Sequence, residues 1–139
     1  MHKHQHLIAY TDGGARGNPG PAALGVVLKS GADETVEAFG EYLGRQTNNY
    51  AEYMAILRAL QRAKALGAES VDMRMDSELA VRQLKGEYKV KNPGLAAIYL
   101  RIHNELIVFK KVTFTHVRRE QNKEADAEVN KTLDRHGGG

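Results

Sequence analysis

The chain has 139 residues, no cysteine, and a formal net charge of +3 from 20 Lys and Arg against 17 Asp and Glu. That length suits one domain able to bury roughly two thirds of the surface its unfolded chain exposes, and the absence of cysteine excludes thiolate chemistry, Cys-type zinc sites and disulfide switching. No stretch approaches the roughly 18 apolar residues of a membrane span, "MHKHQHLIAY" lacks the apolar core of a signal peptide, and the mild basic excess permits a polyanionic partner without requiring one; a soluble, cytoplasmic protein with no membrane partner is expected.

Along the chain, "HLIAYTD" reads as a strand ending at Asp12, followed by a glycine-rich turn. "AALGVVLKSG" and "ETVEAFGEYL" are the next two strands, joined by the turn signal "SGAD" into a hairpin. "TNNYAEYMAILRALQRAKALG" changes to helical spacing, with Gly67 as its stop. "SVDMRMD" alternates Val71, Met73 and Met75 against Asp72, Arg74 and Asp76, the period of a half-buried strand. "SELAVRQL" is a short helix, "KGEYKVKNPG" a basic loop, "LAAIYLRIHNEL" a helix, "KVTFTHV" a fifth strand and "NKEADAEVNKTL" a last helix. Three consecutive strands followed by strand–helix alternation predict an α/β fold, a mixed sheet flanked by helices. Residues 1–139 read as a single domain, with flexible tails at 1–6 and 135–139. The alternating His2, His4 and His6 read as part of a solvated terminus or a strand extension rather than as metal ligands.

Four acids stand out, and each has a plain alternative. Asp12 ends a strand where ligands collect in α/β sheets, and Asp also simply starts turns. Small residues follow it, but the loop is no phosphate-binding P-loop, because no Gly-Lys-Ser/Thr follows. Its glycines would let a polymer lie close to the backbone. Glu52 shares a helix face with Ala55, Ile56, Ala59, Ala63 and Leu66, where a lone carboxylate is costly. The alternative is a capping box with Asn49 as N-cap. Asp76 closes a strand, or caps the helix after it. Asp126 lies in the first turn of the last helix, beside the stripe Ala125, Val129 and Leu133, or is there because acids favour helix N-termini. Each alternative explains one residue. None explains four acids at strand ends and helix starts on one edge of the sheet, an arrangement that suits a divalent cation with oxygen ligands and room for substrate phosphate.

"YTDGGARGNPGPAALGVVL", "TNNYAEYMAILRAL", "MRMDSELAVRQL" and "NKEAD" resemble, in this order and spacing, the successive motifs of type 1 ribonuclease H, over residues 7–133. The resemblance implies a ribonuclease H-like fold: a five-stranded sheet ordered 3-2-1-4-5, with strands 1–3 antiparallel. It implies an endoribonuclease that cleaves the RNA strand of RNA–DNA hybrids with two Mg2+ ions, Mn2+ being a substitute. One ion would activate the attacking water and the other stabilise the departing 3′ oxygen, giving 5′-phosphate and 3′-hydroxyl ends. The catalytic and metal-binding quartet falls on Asp12, Glu52, Asp76 and Asp126. Gly13, Gly14, Asn48 and Glu78 would face the RNA minor groove, where the 2′-hydroxyl identifies RNA. Asn18 and Asn49 would lie toward the DNA strand, with Arg45 and Thr47 in a phosphate pocket.

Two departures qualify the resemblance. The basic helical protrusion of many bacterial members is replaced by "KGEYKVKNPG", so Lys85, Lys89 and Lys91 are a weak substitute and lower, less salt-sensitive hybrid affinity is expected. "VRREQNKEAD" lacks the loop His of many members, leaving Arg118, Arg119 or Glu120 to assist proton transfer or product release. A monomer acting on hybrids is expected, with double-stranded RNA as a further substrate candidate. The alternatives are a non-catalytic hybrid or double-stranded RNA binding module, and a DNA nuclease, on the same fold.

Overall fold

The computed structural model of the chain describes residues 5–136. Its strands are β1 (His6–Ala15), β2 (Gly20–Ser30), β3 (Thr35–Gln46), β4 (Ser70–Met75) and β5 (Lys111–His116); its helices are α1 (Asn48–Ala65), α2 (Glu78–Leu84), α3 (Pro93–Leu106) and α4 (Lys123–Arg135). A short 3-10 turn, Arg119–Gln121, precedes α4. The strands form one sheet in the order β3-β2-β1-β4-β5. β1, β2 and β3 pair antiparallel, while β4 runs parallel to both β1 and β5. This is the expected mixed sheet, with α1 and α3 packed together on one face and α4 on the other.

Local chemistry accounts for the elements. β4 buries Val71, Met73 and Met75 and turns Asp72 and Arg74 to the other side, where Asp72 accepts hydrogen bonds from Arg74, Thr113 and Thr115. α1 places Tyr53, Ile56, Leu57 and Leu60 in the core, against Leu7, Leu24, Leu28 and Met73. Tyr53 hydrogen-bonds the Gln83 side chain and Tyr99 the Gln83 carbonyl, so these tyrosines bind α1, α2 and α3 to each other. Tyr88 is the contrasting case: it is 51% exposed and lies against the Arg82 guanidinium.

Several boundaries differ from those read in the sequence. β1 does not end at Asp12. Its parallel pairing with β4 ends at Thr11↔Met75, but its antiparallel pairing with β2 continues to Ala15↔Ala22. The turn therefore begins at Arg16. β3 extends to Gln46, which puts Arg45 on a strand. The N-cap of α1 is Thr47, whose hydroxyl accepts from the Tyr50 amide, so Asn49 is not the cap and Glu52 closes no capping box. The N-cap of α2 is Ser77, not Asp76. The ordered fold also reaches into both expected tails: His6 opens β1 and bonds Ser70, and Arg135 ends α4, with His136 stacked on Tyr42 at 4.4 Å. His2 and His4 lie outside the described residues.

Two glycines seat the helices on the strands. A Cβ at Gly13 would overlap the α1 backbone at Ala51 and Glu52, and a Cβ at Gly25 would overlap the Ala125 carbonyl of α4. Only a residue without a side chain lets a helix backbone come that close to a strand. Because Gly25 pairs with Asp12 in the ladder, the same contact draws α4 to the strand position opposite Asp12. Gly25→Ala is expected to cost about 2–3 kcal/mol of stability through overpacking. Urea unfolding measures it, and an unchanged midpoint would mean that α4 lifts from the sheet without penalty.

Candidate active site

The end of the β1–β4 parallel ladder defines the site. Asp12 is the first β1 residue beyond that ladder, and Asp76 is the first residue after β4. Glu52 stands on α1, whose backbone rests on Gly13 next to Asp12. Asp126 stands in the first turn of α4, next to the Ala125 carbonyl that rests on Gly25. Four elements thus bring all four sequence-predicted acids to one end of the sheet. The Asp12 carboxyl lies within hydrogen-bonding reach of Asp126 and within electrostatic range of Asp76, and Asp76 also acts on Glu52.

Electrostatics follow from that crowding. Burial, then the neighbouring Asp76 and Asp126 carboxylates, push the Asp12 carboxyl up to about 8, only partly opposed by the Gly13 amide. Glu52 is raised above the usual carboxylate range, chiefly by burial and also by Asp76; the Ser77 hydroxyl and the Arg119 guanidinium oppose the rise. Desolvated neighbouring carboxylates resist ionising together unless a cation joins them.

The donor set fits a hard divalent cation: all oxygen, anionic and partly solvated. Among the described residues no three His, Asp or Glu side chains close into a metal cage. Mg2+ takes such oxygen donors through one or two carboxylates and keeps several waters.

The remaining predicted residues divide into two groups. Asn18 and Asn48 have structural work: Asn18 Oδ1 accepts from the Asn48 amide, and Asn48 Oδ1 accepts from the Ala15 amide. Together they tie the β1–β2 turn to the start of α1. Gly13 is buried under α1, so its lack of a side chain serves packing and not ligand approach. Gly14, in contrast, has no atom closer than 3.9 Å to a notional Cβ. Asn18, Thr47 and Asn49 line one shallow depression with Tyr50, Asn92 and Leu95. Arg45 is exposed on β3. Glu78, exposed at the start of α2, is paired with Arg82 at 3.3 Å, and Arg82 also binds Glu87 at 3.0 Å. Residues 85–92 form no helix and carry Lys85, Lys89 and Lys91 on the surface. Of the residues considered in place of a loop His, Arg119 is the one whose charge reaches Glu52.

Sequence reasoning missed two contributors. Gly25 sat unremarked inside a strand, although glycine in a strand interior signals close backbone approach. Asn122 opens the last helix segment and was given no role; its side chain donates to the Thr11 carbonyl at 2.9 Å and to Asp76 Oδ2 at 3.4 Å.

Comparison with known proteins agrees with this arrangement. A family model described as reverse transcriptase-like matches residues 10–132. Ribonuclease HI of Halobacterium salinarum is 44% identical over 126 residues, covering 91% of this chain and 63% of that protein. The chain spans only 35% of a bifunctional protein of Mycobacterium tuberculosis that is 38% identical over 129 residues. The solved N-terminal RNase H domain of a Mycobacterium tuberculosis protein superposes with a TM-score of 0.92 at 34% identity, covering 96% of each chain. LC11-RNase H1, solved in complex with an RNA/DNA hybrid, superposes with a TM-score of 0.89 at 43% identity, covering 94% of this chain and 98% of that one. Likeness over nearly the whole described chain, in sequence and in superposed structure alike, leaves one assignment: the chain belongs to the type 1 ribonuclease H family.

Proposed function

We propose that the chain is an endoribonuclease that hydrolyses the RNA strand of RNA–DNA hybrids and leaves 5′-phosphate and 3′-hydroxyl ends. The observation that carries this reading is the meeting of Asp12, Glu52, Asp76 and Asp126, from four elements, at one end of the central strands. The hybrid bound to LC11-RNase H1, 43% identical to this chain, supports the substrate class.

In the reaction, water adds to phosphorus, the bond to the 3′ oxygen breaks, and that oxygen takes up a proton. Asp12, Glu52, Asp76 and Asp126 would hold two Mg2+ ions, with Mn2+ as a substitute. Such ions, when bound, lower the pKa of water and stabilise the attacking and leaving oxygens. The chain's own contribution is preorganisation: the glycine-seated helices hold the acids in place before substrate arrives, so little reorganisation is needed during the reaction. Arg119, beside Glu52, supplies positive charge at the edge of the cluster.

Substrate contacts follow from the same placement. The RNA minor groove would lie over the backbone of Gly14, with Asn48 and Glu78 beside it, while Gly13 shapes the site only by seating α1. Arg82 offsets the Glu78 charge, so that its carboxylate can accept from a 2′-hydroxyl with less repulsion from phosphate. Asn18 and Asn49 would reach the DNA strand, and Arg45 and Thr47 one of its phosphates.

The deciding experiment is Mg2+-dependent cleavage of end-labelled hybrid, duplex RNA and duplex DNA of one sequence. Cleavage confined to the RNA of the hybrid is expected; cleavage of duplex RNA as well would broaden the substrate range. Tight hybrid binding without cleavage would instead establish a binding module, and cleavage of duplex DNA a DNA nuclease.

A further inference from the structure

Asn122 joins three of the four acid-bearing segments. It is 1% exposed. Its Nδ2 donates to the Thr11 carbonyl, one residue before Asp12, and to Asp76 Oδ2. Its carbonyl accepts from the Asp126 amide at 3.1 Å, and its own amide donates to Arg119 at 3.0 Å. Its Oδ1 is buried without a hydrogen-bond partner.

An apolar side chain of similar size would fill the same space without joining these segments. What the amide alone provides is a pair of N–H donors, one directed at the β1 backbone beside Asp12 and one at the Asp76 carboxylate. Asn122 stands at the N-cap of α4, but its side chain makes no capping bond to the helix.

We infer that Asn122 is a positioning residue that sets the orientation of the Asp76 carboxylate and locks its distance from the Asp12 strand and the Asp126 helix. The inference rests on the reading of these acids as cation ligands. By holding Oδ2 from one side, the amide leaves Asp76 fewer orientations. Groups that orient a metal ligand in this way typically change affinity or activity by about 10–100-fold when removed.

The test is Mn2+ binding to the nucleic-acid-free protein, run beside hybrid cleavage and thermal unfolding, well below the melting temperature of every variant. Asn122→Ala is expected to weaken Mn2+ binding by about tenfold and to lower kcat on hybrid comparably, with KM changed less than about twofold. Asn122→Leu, which keeps the volume, should behave alike even where it restores stability. In an Asp76→Asn background the effect of Asn122→Ala on Mn2+ binding should shrink to about twofold, because the carboxylate it orients is gone. Leu133→Ala, a buried change in the same helix, should lower stability and leave Mn2+ affinity intact. Wild-type Mn2+ affinity and kcat in folded Asn122→Ala or Asn122→Leu would overturn the inference, and so would an undiminished effect in the Asp76→Asn background. A wild-type chain that binds Mn2+ without cleaving hybrid would refute the proposed activity while leaving the Asn122 comparison readable.

Discussion

Asp76→Asn is expected to lower hybrid cleavage by at least about 10³-fold while leaving the protein folded and able to bind hybrid. The position explains the size of the effect. Asp76 interacts with both Asp12 and Glu52 and receives the Asn122 amide, so it lies between the β1 and α1 sides of the cluster. Asparagine keeps the shape but removes the charge that a cation and the transition state require. Loss of one preorganised electrostatic group commonly costs 10²–10³ in rate, and here the same substitution also removes a ligand. Stability should not fall, since one of several mutually repelling acids has been neutralised. Single-turnover cleavage, circular dichroism and hybrid binding together decide the matter. Activity within tenfold of wild type would remove Asp76 from the catalytic set.

The spacing of the four acids in the sequence was enough to place them together, because strand ends and helix starts at one sheet edge leave little freedom. β1 and β4 are parallel neighbours, so Asp12 and Asp76 had to emerge side by side. Three strands followed by strand–helix alternation pointed to a mixed sheet, and the strand order came from the family resemblance alone. What escaped were contacts between elements distant in the chain. Gly25 meets α4 across about a hundred residues, a distance at which periodicity carries no signal. Asn122 reaches the Thr11 carbonyl over a similar separation. The alternative caps at Asn49 and Asp76 fall one or two positions away, on Thr47 and Ser77, because several cap-forming residues stand next to each other in "TNN" and "DS". Gly13 shows that one feature can be noticed for the wrong reason: its small size serves the helix behind it, whereas a Cβ at Gly14 would meet only ordinary contacts.

The pH dependence of stability is expected to centre on Asp12 and has a defined sign. In the unfolded chain this carboxyl titrates near 3.8; in the fold, burial and then Asp76 and Asp126 push it up to about 8. The native state therefore holds its proton more tightly than the unfolded state. Where that is so, stability falls as pH rises between the two values, and the loss is complete above the higher one. The metal-free protein should thus lose about 1–3 kcal/mol between pH 5 and 8, discounted because water reaches the group and its neighbours share the charge. Glu52, raised chiefly by burial, adds to the loss in the same direction. Asp12→Asn should flatten this dependence and make the metal-free protein more stable than wild type at pH 8, while abolishing cleavage. Mg2+ should reverse the trend in the wild type, because a cation favours the ionised acids and its binding near pH 7 must release about one proton. Urea unfolding at several pH values measures the first effect. Calorimetry in buffers of different ionisation enthalpy measures the proton release. A metal-free protein equally stable at pH 5 and pH 8, or Mg2+ binding without proton release, would mean that Asp12 is already ionised in the free protein and that the cluster carries its charge without a cation.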